Sequence, residues 1–290
     1  MSIAKFLLLS LIAILYFGCD TKNINSQTFV KSYITNDINS GNVINKPSSV
    51  GKITLPDDYK RIPAPEKSFG NYLRSFPIAD DQIVHLYNGE KKRNQNAQYA
   101  VLKIDVGNRD LQQCADAVMR LRAEYLFQNK MYDDIAFNFT SGDKAAFSQY
   151  AKGYRAVING NNVRWIKKGK EDYSYKNFRK YMNLVFSYAG THSLSKELKK
   201  INNMEEINIG DVFIKGGFPG HAIIVMDVAK HKTSGKKIFL LAQSYMPAQD
   251  IHILKNPNNS NLNPWYSADF GEKLYTPEWT FDKTQLKRWQ

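Results

Sequence analysis

The sequence predicts an α+β fold, an antiparallel sheet with helices packed against it, and three observations carry that expectation. Gly210-Asp211-Val212-Phe213-Ile214 and Gly220-His221-Ala222-Ile223-Ile224-Val225-Met226-Asp227-Val228 read as two buried strands joined by the glycine-rich turn Lys215-Gly216-Gly217-Phe218-Pro219. Two segments, beginning near Asp110 and Ser174, repeat apolar residues at helical spacing. Asn159-Gly160 stands between two β-rich runs, the strongest hairpin signal in the chain.

Taken in order, residues 1–19 read as a secretory signal: a short basic start, an apolar run over residues 6–17, then Gly18-Cys19. The apolar run is too short to span a bilayer. Gly18-Cys19 resembles the lipobox of bacterial lipoproteins, although Tyr16 and Phe17 depart from it, and the resemblance implies a lipidated Cys19. An ordinary signal with a chance cysteine is the alternative. Residues 20–52, rich in Asn, Ser, Thr and Lys, then form a flexible tether, and a single globular domain spans 53–290.

The chain has only two cysteines, so with Cys19 lipidated Cys114 has no intramolecular partner, and a disulfide scaffold is excluded. A formal charge of +13 comes from scattered Lys and Arg, including Lys91-Lys92, Lys167-Lys168 and Lys199-Lys200 in turns. Solubility explains such a surface, and on an exported protein it suits anionic envelope polymers or lipid headgroups, not nucleic acid.

Residues 99–106 read as a strand, and a helix follows from Asp110, with Asp110 and Gln113 in capping-box spacing. Leu111, Cys114, Val118, Leu121 and Tyr125 fall on one stripe of that helix. Cys114 is then a small core hydrophobe or a nucleophile. Its place about four residues into the helix, where the dipole fades, favours the core. Residues 133–139 read as a strand, 145–150 as a short helix, 154–158 and 162–166 as the hairpin, and 174–188 as a helix carrying Phe178, Tyr181, Met182, Val185 and Phe186 on one side. Residues 251–254 read as one more strand, and the Pro-, Asn- and aromatic-rich tail after Gln243 either plugs the edge of a core or lines a groove.

His221, where the chain re-enters the sheet, suits a general base or is a histidine satisfied by a backbone carbonyl. The other histidines, His85, His192, His231 and His252, show no metal-ligand spacing, and no phosphate loop, dinucleotide fingerprint or GxSxG elbow occurs, so no cofactor and no metal is expected.

The helix ending in Ala189-Gly190, a loop of about twenty residues with Leu194 and Leu198, and the pair from Gly210 to Val228 together resemble the second half of NlpC-type papain-like cell-wall peptidases over residues 174–245. The resemblance implies papain-like topology within about 98–255, His221 as the base and Gln243 as the polar residue orienting it, with Asp250 as the alternative. That family's cysteine falls at or near Phe178, which cannot attack a carbonyl. Either Cys114 supplies the thiol across a long insertion, with Gln112 or Gln113 as oxyanion donors, or the domain binds without cutting. Over its whole length, on Asp110-Leu111-Gln112-Gln113-Cys114-Ala115-Asp116, Asp211-Val212-Phe213-Ile214-Lys215-Gly216-Gly217, Leu241-Ala242-Gln243-Ser244-Tyr245 and Thr276-Pro277-Glu278-Trp279, the chain resembles an uncharacterised envelope lipoprotein family of Bacteroides-type bacteria, a domain of unknown function. Three expectations follow: a cysteine amidase or peptidase of peptidoglycan or envelope peptides using Cys114, His221 and Gln243; an inactive module binding cell-wall glycan or peptide; or a structural subunit of an envelope complex.

Overall fold

One strand organises the molecule, because every residue from 221 to 229 is buried and the strand therefore needs a layer on each face. The computed structural model describes residues 46–290. The expected signal segment, the expected lipid site Cys19 and the expected tether up to residue 45 lie outside the described residues. Val50–Lys52 form a 3-10 turn in which Val50 is fully buried, so packing begins ahead of Ile53. No helix of the described residues is long and apolar enough to cross a membrane.

In chain order the strands are β1 (Tyr59–Arg61), β2 (Gln98–Val101), β3 (Ala136–Asn138), β4 (Lys144–Ala146), β5 (Tyr154–Asn159), β6 (Asn162–Lys167), β7 (Lys199–Lys200), β8 (Val212–Lys215), β9 (His221–His231), β10 (Lys237–Gln243), β11 (His252–Leu254), β12 (Tyr266–Ser267), β13 (Lys273–Tyr275), β14 (Thr280–Asp282) and β15 (Leu286–Arg288). The helices are α1 (Phe69–Arg74), α2 (Cys114–Gln128), α3 (Phe147–Ala151), α4 (Tyr175–Tyr188) and α5 (Thr191–Glu197). The main sheet runs β2-β11-β10-β9-β8-β15-β7, with β1 added beside β9 and β12 beside β10. Its pairs are antiparallel, as the α+β reading expects.

Side-chain alternation splits β9 between two cores. Ala222, Ile224 and Met226 face the core that holds α2, whose residues are buried almost all round, while Ile223, Val225 and Val228 face a second core with Phe213, Phe239, Tyr266 and Phe281. The switch of phase sits at a bulge: Leu240 pairs with Asp227 and Leu241 with Val225, leaving Met226 unopposed. The bulge brings Asp227 into the interior, where Arg61 Nε donates to Oδ2 at 2.7 Å and Arg74 Nε to Oδ1 at 2.8 Å. That fully buried carboxylate ties β1 and α1 to the sheet.

The C-terminal segment supplies the second layer. Trp265, Tyr266, Leu274, Phe281 and Leu286 are buried, so part of the aromatic tail is core. Between α2 and β8 lies an excursion of two hairpins, β3–β4 and β5–β6, with α3 and α4. Phe178 of α4 stacks on Phe127 of α2 at 4.4 Å and is fully buried, a packing residue and no part of a site.

Most expected elements exist with shifted ends. Asn159 pairs with Asn162 across the hairpin turn, and the Ser174 hydroxyl caps α4 by accepting the Asn177 N–H at 3.2 Å. The strand expected over 99–106 stops at Val101, the one expected over 133–139 is a 3-10 turn followed by β3, and the helix expected from 145 is β4 running into α3. The stretch expected as a loop with Leu194 and Leu198 contains α5 instead, because Leu194 is buried and draws a helical turn onto the core.

Candidate active site

Cys114 does not lie a turn inside its helix; it is the first helical residue. Gln113 is the N-cap, and Asp116 Oδ2 accepts the Gln113 N–H at 3.0 Å. Asp110, three residues earlier, does not cap the helix. Its Oδ1 accepts the Ala248 N–H at 2.7 Å and Gln113 Nε2–H at 3.1 Å, pinning the approach to α2 against the β10–β11 connection. The Ser244 hydroxyl reinforces that seam, donating to the Gln249 carbonyl at 2.8 Å and lying 3.1 Å from the Gln112 carbonyl. The consequence for Cys114 is a half-buried thiol at a helix N-terminus, not the buried core position that its spacing suggested.

His221 opens β9, opposite Lys215 of β8, and is 2% exposed. Its Nε2 lies 2.9 Å from Oε1 of Gln243, the last residue of β10. The orientation of the Gln243 amide follows from what holds its nitrogen. Gln243 Nε2 donates to Glu278 Oε2 at 2.8 Å and lies 3.4 Å from His252 Nε2. His252 Nδ1–H donates to the Asp250 carbonyl at 2.8 Å, which leaves Nε2 as an acceptor. Both amide hydrogens are thus engaged away from His221, Oε1 must accept from it, and the His221 proton sits on Nε2 with Nδ1 unprotonated. Glu278 is itself fixed by Lys92 Nζ at 2.5 Å and by Asn94 Nδ2 at 3.0 Å. The ring of His221 is enclosed by Tyr245, Trp279 and Phe281, with centroids at 4.8, 5.2 and 5.8 Å.

Electrostatics hold the pair neutral. Burial pushes the Cys114 thiol up to about 11, Asp116 adds to this when ionised although burial raises its own carboxyl well above the ordinary range, and the backbone amides of Ala222, Ala115 and Cys114 itself oppose it. Burial lowers His221 to about 4, against the Gln243 hydrogen bond and the Glu278 charge, and lowers His252 to about 4 as well. At neutral pH the resting state is thiol plus imidazole.

Cys114 and His221 line one cleft of about 500 Å³, together with Asp116, Tyr245, Trp279 and the exposed Phe218. Gln243 lies behind His221 as the resemblance implies. Asp250 does not: its carboxylate accepts the His85 N–H at 2.8 Å and only its carbonyl enters the network, through His252. Gln113 lines the cleft with its amide donating to Asp110, whereas the Gln112 side chain is turned inward and accepts from Arg120 Nη1 at 2.8 Å. Trp279 puts one aromatic of the tail in the groove. Glu278, His252, Lys92 and Asp116 were not expected from the sequence; the Thr276-Pro277-Glu278-Trp279 segment was visible as a motif, without a partner to give it meaning. A larger cavity of about 700 Å³, bordered by Lys230, Lys237 and Lys283, is lined by neither cysteine nor histidine.

Residues 50–288 match a family model described as "Domain of unknown function (4846)", and the chain belongs to that family. No curated protein and no solved structure matches the chain.

Proposed function

We propose that the cleft is the active site of a papain-like cysteine amidase or peptidase acting on peptidoglycan or other envelope peptides, in a lipoprotein exported and anchored through Cys19. One observation carries this reading: a cysteine at the first position of a helix opens into the same cleft as a histidine whose tautomer is set by a glutamine on the next strand. A helix bearing the thiol, packed across an antiparallel sheet whose adjoining strands carry base and orienting residue, supports papain-like topology. The departure at Phe178 is then resolved as an insertion between nucleophile and base.

The chemistry follows from the neutral resting pair. Unprotonated Nδ1 of His221 takes the thiol proton as Cys114 Sγ attacks the amide carbon, so that a C–S bond forms and the carbonyl π pair moves to oxygen. The free N–H groups at the start of α2 face that developing charge, with the helix dipole behind them. Collapse returns the electron pair, breaks the C–N bond, and His221 hands its proton to the departing amine. Water then adds to the thioester with His221 as base, releasing a carboxylic acid and the thiol. Gln243 keeps the imidazolium oriented, and Glu278 keeps Gln243 from flipping.

Turnover of purified muropeptides tests this: Cys114→Ala and His221→Ala each abolish release of a new amine, and both variants must fold as the parent does. Unchanged turnover in either sinks the hydrolase reading. An inactive module binding cell-wall glycan or peptide is favoured by one observation, the burial that holds thiol and imidazole neutral. On that reading Cys114→Ala retains both ligand binding and cell-wall phenotype.

A further inference from the structure

A second cavity, of about 510 Å³, opens against Arg120, Glu124 and Gln128 of α2 and shares no lining residue with the cleft. Glu124 stands about 15 Å along the helix axis from Cys114. The floor of this cavity is an ion pair that the chemistry at Cys114 does not use. Arg120 and Glu124 have side chains 1% and 6% exposed, and Arg120 Nε donates to Glu124 Oε1 at 2.6 Å. The guanidinium has a partner on every nitrogen, since Nη1 donates to Gln112 Oε1 at 2.8 Å and Nη2 to the Tyr175 hydroxyl at 3.2 Å. The carboxylate does not. Its bonds, from Arg120 and from the Tyr175 hydroxyl at 2.8 Å, both fall on Oε1, while Oε2 accepts from no group among the described residues and keeps some solvent contact. A carboxylate oxygen so nearly enclosed is costly unless a donor completes it.

The Tyr72 hydroxyl borders the same cavity and also has no partner among the described residues. Burial, and then the Glu124 charge, push it above the ordinary tyrosine range, so it remains a donor. A donor and an acceptor open to one cavity select a group that accepts and donates at once, as a hydroxyl does. Charge points the same way: Arg120 already neutralises Glu124 against a cation, and Glu124 with Asp105 at the rim disfavours an anion. Aromatic rings form the walls. Tyr175 is 48% exposed although its hydroxyl is fixed between Arg120 and Glu124, and Tyr72 meets the buried Phe76 edge to face at 5.5 Å. A ring held at one end and open elsewhere is a stacking surface with little conformational entropy left to lose.

We propose that this cavity is a carbohydrate subsite, in which one sugar hydroxyl accepts from Tyr72 Oη–H and donates to Glu124 Oε2 while the C–H face of the sugar lies on the Tyr175 ring. The amides of Asn71 and Gln128, on the border of the cavity, serve neighbouring hydroxyls. The ligand is a neutral glycan of hexose or N-acetylhexosamine units, which share this hydroxyl chemistry. The subsite goes beyond the amide chemistry of the cleft and does not require Cys114 to be a nucleophile.

Isotope-labelled full-length protein is titrated with maltotetraose, chitotetraose and permethylated maltotetraose, and binding is followed by backbone amide NMR shifts. At least one free oligosaccharide is expected to shift the amides of 71–76 and 120–128, and which one does so identifies the sugar unit. The permethylated form keeps its C–H faces but has no O–H to donate to Glu124, so it is expected not to bind. Tyr72→Phe keeps the ring and removes a hydroxyl that no protein group uses, so the fold is retained; affinity is expected to fall about 3- to 10-fold, the loss of one hydrogen bond. Binding of neither free sugar, which would mean that water alone completes the pair, overturns the subsite. So do equal binding of the permethylated form, unchanged affinity in Tyr72→Phe, or shifts confined to the surroundings of Cys114 and His221. Absence of muropeptide hydrolysis by wild type while sugar binding persists refutes the hydrolase reading and leaves the carbohydrate subsite standing.

Discussion

The resting state of Cys114 can be measured directly. In a Cys19→Ser chain Cys114 is the sole thiol, and its rate of alkylation by iodoacetamide reports its thiolate. Burial and Asp116 put this thiol at about 11, against an ordinary value of about 8.5 to 9, which lowers the thiolate population at pH 7.5 about 100- to 300-fold. A more basic thiolate is a better nucleophile, with a Brønsted slope of about 0.4 to 0.5, and that returns a factor of about 6 to 18. The net expectation is alkylation about 10- to 30-fold slower than free cysteine at pH 7.5, with the logarithm of the rate rising linearly up to at least pH 9.5. Mass spectrometry of the Cys114 peptide over a pH series reads both quantities. A plateau centred at or below about pH 8.5, or a rate equal to that of free cysteine, would mean a pre-formed thiolate. The mechanism in which His221 removes the proton during attack would then be wrong.

Two stability measurements probe the scaffold behind the site. His252 is fully buried and pushed down to about 4, so its folded value lies below its unfolded value of about 6.5; its contribution is complete above pH 6.5 and is lost as pH falls toward 4. The urea stability of wild type minus that of His252→Asn is therefore expected to shrink by about 2 kcal/mol between pH 7 and pH 5, and a constant difference would show that His252 is not held neutral. Asp227→Ala leaves Arg61 and Arg74 without their shared carboxylate, in side chains 23% and 17% exposed. A loss of about 3 kcal/mol in urea unfolding is expected, at the lower end for a broken buried pair because both guanidinium groups still reach some solvent, and a loss under about 1 kcal/mol contradicts the role given to Asp227.

What was legible in the sequence was local. The Asn159-Gly160 hairpin, the Ser174 cap of α4 and the antiparallel pair from Gly210 to Val228 are written in short-range turn and periodicity signals, and they appear with their expected pairing. His221 was visible as an imidazole where the chain re-enters the sheet, and Gln243 only through the family resemblance; the two lie 2.9 Å apart on neighbouring strands. Residues joined across long separations were not legible. Glu278 reaches Gln243 from the tail, Lys92 reaches Glu278 from the N-terminal part, and Trp279 meets His221 only once the tail has folded over the sheet. The start of α2 was misplaced because Asp110…Gln113 and Gln113…Asp116 both have capping-box spacing. A tertiary bond decided between them: Ala248 N–H claims Asp110, which frees Gln113 to cap and brings Cys114 to the helix end.

That same tertiary choice explains how Cys114 and His221, more than a hundred residues apart in sequence, come to line one cleft. Two helices precede β9 in the chain, and sequence proximity favours α4, the one that carries Phe178. Packing favours α2. It lies across β9, and its N-terminal approach is stapled to the β10–β11 connection through Asp110 and Ser244, within reach of the strand end that carries His221. The intervening hairpins, α3 and α4 do not come between α2 and the sheet; Phe178 docks against Phe127, near the opposite end of α2 from Cys114. The excursion leaves at the far end of α2 and returns through α4, whose last residues Phe186 and Ser187 line the cleft beside Cys114; its loop-closure entropy grows only slowly with length, and burial of Phe127, Phe147, Phe178 and Tyr181 works against that cost. The placement of Cys114 and His221 in one cleft therefore rests on the α2–β9 contact and its staple, while the returning chain from Phe186 to Thr191 and the turn at Gly217 to Gly220 build further walls of that cleft.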